Sequence, residues 1–349
     1  MKKSLIALAV LAASSAAMAQ SSVTLYGVVD AFVGSNKVQV DGIGQRQTVV
    51  NSDGVNGNRW GLKGSEDLGG GMKAIFQLES GFSLDNGASA QGGLLFGRQA
   101  FVGLQSEFGT VSLGRQYSAY DTLHGATSHN YDAFSFNAAR NFVSGDQRGT
   151  SANGMADYTN RINNSVAYTS PSFGGFSGAV VYGLGENKNA TTAGVISNSS
   201  ATDSASVHIK YANGPLLVGY AYQQDKLAGV GAAQDKNKYN LVGGTYDFGV
   251  AKIVGYYNTA KNNTFKDKEG QIGVAVPFGA AAISAGVSRS KSEGLGVERT
   301  GKGYSILGTY ALSKRTGLYV GAVNTKYHAL NAAAESELKT YGLGVRHSF

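Results

Sequence analysis

The chain is predicted to be all-β, a 16-stranded antiparallel transmembrane β-barrel. Three observations carry this: a strand-like alternation that runs to the last residue, a strict alternation of short turns with longer polar segments, and a composition of 50 glycines, 19 tyrosines and 15 phenylalanines against 3 prolines. Many twisted strands joined by tight turns use such a composition, whereas a helical core or a disordered chain does not.

At the start, Met1-Lys-Lys leads into the apolar run Leu5 to Ala13 and then Ala17-Met-Ala19 before Gln20. That layout reads as a secretory signal peptide over residues 1–19, too short and wrongly flanked for a membrane anchor, with the barrel over 20–349. The first strand follows. In Val23 to Asp30, Val23, Leu25, Gly27 and Val29 share one face, and Thr24, Tyr26, Val28 and Asp30 the other.

Seven turn-rich connections then recur: 65–71, 106–110, 170–175, 212–215, 247–249, 277–279 and 313–317. Eight longer polar segments alternate with them, at 35–55, 83–92, 118–160, 187–203, 226–236, 261–267, 291–301 and 327–337. Fifteen connections join sixteen strands, and short turns on one side with long loops on the other suit an outer-membrane barrel whose termini lie together. Strand three, by the same alternation, sets Lys73, Ile75, Gln77 and Glu79 against Ala74, Phe76 and Leu78. The last strand groups Tyr341, Leu343, Val345, His347 and Phe349. An open edge at the terminus would invite aggregation, so this strand is expected to pair with the first and close the sheet.

The formal charge of +7 falls to +5 without Lys2 and Lys3, too dilute for a nucleic-acid footprint. There is no cysteine, so neither a disulfide framework nor a thiolate site is available. His124 and His129 lie in the longest loop without fixed metal-ligand spacing, and no Ser/His/Asp motif stands out among the serines. Neither metal, cofactor nor catalysis is expected. Sixteen strands enclose a water-filled lumen, so conduction is the default activity. A secreted β-sandwich or propeller is the alternative that also alternates.

The residues also resemble a known family, the general trimeric Gram-negative porins and particularly those of β-proteobacteria. The resemblance rests on Gln20-Ser-Ser-Val-Thr-Leu-Tyr-Gly27, Asn58-Arg-Trp-Gly-Leu-Lys-Gly64, Phe96-Gly-Arg-Gln-Ala-Phe-Val-Gly-Leu104, Gly109-Thr-Val-Ser-Leu-Gly-Arg-Gln116 and the terminal Gly344-Val-Arg-His-Ser-Phe349. It implies a homotrimer in the outer membrane, in contact with its lipid and lipopolysaccharide, with one channel per barrel for ions and small hydrophilic solutes. It implies too that the third long loop, 118–160, folds inward.

Carried over by motif position, Arg59, Arg98 and Arg161 are the expected wall arginines of a constriction, faced by Asp121 and Asp132 of the loop, with Arg140 offsetting them. Alternation sends Arg59 to the lumen with Lys63. It groups Ile162 with Val166 and Tyr168, leaving Arg161, Asn163 and Ser165 facing water, and leaves Arg98 ambiguous. Glu79, lumen-facing, would cancel one arginine. The balance favours a modest anion preference. Arg115 shares the face of Val111 and Leu113 and points outward; the resemblance implies a subunit contact with the second long loop of a neighbour, whose acid is Asp85. The terminal Phe349 resembles the aromatic by which the assembly machinery recognises such barrels. A structural or adhesive barrel and a solute-specific channel remain as alternatives.

Overall fold

The computed structural model describes residues 22–130, 133, 135–139, 157–185, 191–192, 195–196, 203–226, 236–328 and 334–349. Sixteen antiparallel strands close on themselves among these residues: β1 (Ser22–Val40), β2 in two runs (Arg46–Ser52 and Arg59–Gly69), β3 (Met72–Gly81), β4 (Gln99–Ser106), β5 (Gly109–Tyr117), β6 (Arg161–Thr169), β7 (Phe176–Gly183), β8 (Ser204–Asn213), β9 (Leu216–Lys226), β10 (Lys236–Asp247), β11 (Lys252–Lys261), β12 (Phe265–Phe278), β13 (Ala281–Gly294), β14 (Val297–Ala311), β15 (Thr316–His328) and β16 (Glu335–Ser348). Each strand pairs with its sequence neighbour, and β16 pairs with β1 from Val28↔Ser348 to Val40↔Ser336.

Closure is finished by the last residue. Gly27 and Phe349 exchange both backbone hydrogen bonds at 3.1 Å, and the Phe349 ring lies where a Cβ on Gly27 would fall, 2.3 Å away. A Cβ there would also lie 2.8 Å from the Arg59 carbonyl oxygen, so the ring and the neighbouring backbone together favour glycine.

The two faces of the wall invert the usual arrangement. Val23, Leu25, Val320 and Leu343 are exposed on the outside, whereas Asp30, Gln223, Glu269, Gln271 and Ser288 are buried on the inside. A soluble fold seldom exposes so continuous an apolar band; lipid is the solvent that makes it favourable. Exposed Phe108, Phe173, Phe248 and Phe278 sit at or beside the short turns, as an interfacial aromatic girdle does.

The strands reverse within the expected turns and also within the expected long segments 35–55 and 291–301, but these two segments are mostly ladder rather than loop. Residues 291–301 are almost wholly strand, with only Leu295-Gly296 between β13 and β14, both at positive φ (52° and 75°) as a type I′ hairpin needs. Residues 35–55 likewise belong mostly to β1 and the first run of β2. Both stretches are polar because their ladders continue beyond the apolar band, where alternation no longer reports strand.

A different feature interrupts β2. Asp30, fully buried, accepts the backbone N–H groups of Gly54, Val55 and Asn56 at 3.0, 2.9 and 2.8 Å, and the Tyr319 hydroxyl donates to it as well. One carboxylate thereby satisfies backbone donors that leave the ladder between the two runs.

Candidate functional site

After β5 the chain leaves the wall and enters the helix α1 (Ala119–Thr127). Ser118 caps it, its Oγ accepting from the Asp121 N–H at 3.0 Å. Six of the nine helical residues are buried, which an exposed loop helix would not be.

The buried segment is held against the inner face by partners on β8, β12 and β13. Tyr120 N–H donates to Ser206 Oγ at 2.8 Å, and the Ala119 carbonyl lies 2.8 Å from His208 Nδ1, both on β8. Further on, His129 N–H donates to Gln271 Oε1 at 2.9 Å, Gln271 Nε2 donates to Asn137 Oδ1 at 2.8 Å, and Ser288 Oγ donates to the Ala138 carbonyl at 2.5 Å.

Between these bonds the wall offers glycine. A Cβ on Gly219 would lie 2.7 Å from Leu123, on Gly243 2.5 Å from Thr127, and on Gly321 2.7 Å from Phe136. The His129 ring sits over the directly opposed pair Gly273 and Gly286, 2.1 and 2.4 Å from where their Cβ atoms would be. Burial alone lowers the His129 pKa to about 4, and neither ring nitrogen has a hydrogen-bond partner among the described residues. In the sequence these glycines look like turn or filler positions; together they form a seat.

The other wall carries the charge. Arg59 lies opposite Val28 and Gly81 in the ladders and therefore on the inner face, with no ion pair among the described residues. Glu79 and Arg98 form a buried ion pair, Nε to Oε1 at 2.7 Å, and Glu79 Oε2 also accepts from Tyr26 OH at 2.9 Å. Arg98 Nη2 donates to Tyr117 OH at 2.8 Å, and Arg161 Nη2 donates to the same hydroxyl at 3.0 Å. The Arg161 guanidinium stacks 4.6 Å from the Tyr117 ring centre. Glu79, Arg98 and Arg161 are thus brought together through Tyr117. Sequence reasoning missed that residue; its only signal was its place between the Arg-Gln pair and the serine that opens the loop.

The face expected for Ile162 is not the one observed. Asn164, at φ 49°, forms a bulge where the β5–β6 register shifts between Gly114 and Gln116. Beyond it Ile162 is buried with Ala119, Ala167, Ala179 and Val181, whereas Val166 and Tyr168 face outward. An extra residue reverses parity, so alternation counted from Tyr168 does not assign Arg161 a side.

The remaining expected residues divide. Asp121 is buried in α1, where its Oδ1 accepts from Tyr158 OH at 2.7 Å and that hydroxyl lies 3.0 Å from His124 Nδ1. Asp132, Arg140 and the segment 1–19 lie outside the described residues. Arg115 is half-buried; its Nε donates to the Gly97 carbonyl at 2.8 Å and its Nη1 to Asn163 Oδ1 at 2.5 Å. Asp85 Oδ1 accepts from Ser52 Oγ at 2.7 Å. Arg115 and Asp85 therefore have partners within the chain and are not bonded to each other.

Comparison with known proteins gives one consistent answer. A family model described as Gram-negative porin matches residues 5–330. Outer membrane porin protein 32 of Delftia acidovorans is 38% identical over 331 residues, covering 91% of this chain and 88% of its own. An outer membrane porin protein of Bordetella pertussis is 35% identical over the full length of both chains. Among solved structures, an anion-selective porin from Comamonas acidovorans superposes with a TM-score of 0.77 at 27% identity, over 95% of this chain and all of that one.

Proposed function

This chain belongs to the Gram-negative porins, outer-membrane β-barrels that act as passive channels and not as enzymes, and from that premise we propose that its channel prefers anions modestly. The observation that carries this is the arginine set. Arg98 is neutralised by Glu79, whereas Arg59 and Arg161 have no ion pair among the described residues. Fixed charge in a confined pore acts over about 8 Å at physiological salt, so two uncompensated arginines outweigh charge scattered over distant loops. The likeness to an anion-selective relative points the same way.

The test is the reversal potential across a salt gradient in a planar bilayer. The wild type is expected to favour anions, and Arg59→Ala/Arg161→Ala to lose most of that preference. Cation selectivity in the wild type, or an unchanged ratio in the double variant, overturns the reading.

The assembly follows from the same premise. Residues 1–19 act as the signal peptide, and the barrel works as a homotrimer among outer-membrane lipid and lipopolysaccharide, with Arg115 and Asp85 at the subunit contact. The assembly machinery reads the chain at Phe349. The pairing of Phe349 with Gly27 supports a further role in closure. On the long loop, Asp132 and Arg140 are the candidates that complete the constriction, whereas Asp121 is buried in α1 with its carboxylate accepting from Tyr158 OH.

A further inference from the structure

The outer face of β12 to β15 carries charge for which conduction has no use. The ladders set Gly270 opposite Arg289, Arg289 opposite Lys302, and Lys302 opposite Lys326. One row nearer the long-loop ends, Lys268 faces Lys291. Two of these cations are compensated: Lys326 by Glu335 and Glu337 at 3.0 and 3.6 Å, and Lys291 by Glu293 and Glu298 at 3.2 and 2.9 Å. Lys268, Arg289 and Lys302 have no ion pair among the described residues. Like charges directly opposed across a ladder repel, and an anion placed between them turns that cost into attraction.

The surface there is recessed. Tyr257 and Arg289 stand on either side of Gly270, whose outward side meets nothing closer than 3.5 Å, so a cleft opens with glycine as its floor. Along the same strands, away from the cations, come the rows Val287↔Tyr304, then Ala285↔Ile306↔Ala322, then Ile283↔Gly308↔Val320. The small residues Gly308 and Ala322 leave an apolar hollow bordered by Ile283, Ile306, Val320 and Leu343. Strand rise puts its upper edge about 13 Å from the Arg289–Lys302 row.

We propose that this face is a docking site for a phosphorylated, acylated lipid of the outer leaflet, its phosphate at Arg289, Lys302 and Lys268 and an acyl chain in the hollow around Gly308. The inference rests on the outer-membrane lipid contact proposed above and gives it residues. Free phosphate would use only the cleft; the hollow on the same strands selects an amphiphile.

The test follows retention of lipid A, a bisphosphorylated acylated disaccharide, by native mass spectrometry after detergent exchange, with unit conductance as the control for an intact barrel. Arg289→Ser/Lys302→Ser is expected to weaken retention roughly tenfold or more with conductance unchanged, as loss of two cations near anionic headgroups requires. Gly308→Leu fills the hollow and is expected to weaken lipid A while leaving binding of the deacylated bisphosphate head unchanged. Wild-type retention in the charge double variant overturns the site alone, as does displacement of lipid A by inorganic phosphate. No retention by the wild type overturns both the site and the lipid contact on which it rests.

Discussion

Across the lumen, β2 to β6 carry Arg59, Glu79, Arg98 and Arg161, whereas β9 to β15 carry Gly219, Gly243, Gly273, Gly286 and Gly321 under the inward segment. The first region works through side chains that hold charge at a fixed place. The second works through their absence, since each glycine leaves the volume that Leu123, Thr127, His129 or Phe136 fills. On the proposed function, charge would set which ions pass and the seat how much room they have. The two functions should therefore be separable by mutation.

The largest effect on conduction is expected on the seat. Gly273→Leu would put a side chain into the His129 ring, where overpacking costs about 1–3 kcal/mol or displaces the segment. Unit conductance and open-channel noise should change more than the ion ratio. A changed ratio with unchanged conductance would break the division.

On the charged wall, Glu79→Gln removes the carboxylate from a buried pair and leaves Arg98 uncompensated. The expected outcome is a stronger anion preference in reversal-potential measurements, with a stability loss of roughly 3 kcal/mol seen in denaturant unfolding. An unchanged ratio would show that Arg98 lies outside the field that ions sense.

The smallest effect needs acid. His129 is neutral in its seat, with a pKa held near 4, below its ordinary value of 6.5. Its contribution to holding the segment is complete above pH 6.5 and is lost as pH falls through about 4, because the protonated ring has no partner over Gly273 and Gly286. Current noise should rise on acidification over that range, and His129→Asn should remove the dependence.

The barrel was legible because its signals are local. Alternation in Val23 to Asp30, the turn chemistry at 65–71 and 277–279, and the terminal strand each describe neighbours in the chain, and all lie as expected. The lumen face of Arg59 was legible for the same reason. Arg161 was not, because one bulge residue, Asn164, reverses parity and the residues alone do not announce it. Nor was Asp30, whose carboxylate caps three backbone donors 24 to 26 residues away.

Period-two patterning and turn spacing are written along the chain, and from them follow the class, the strand count and the closure at Phe349. That Tyr117 joins Arg98 to Arg161, and that Gly273 and Gly286 receive His129, follows from contacts between distant segments. The seat depends on pairs such as His129 and Gln271, 142 residues apart, brought together by barrel closure and ladder register; no local pattern encodes them.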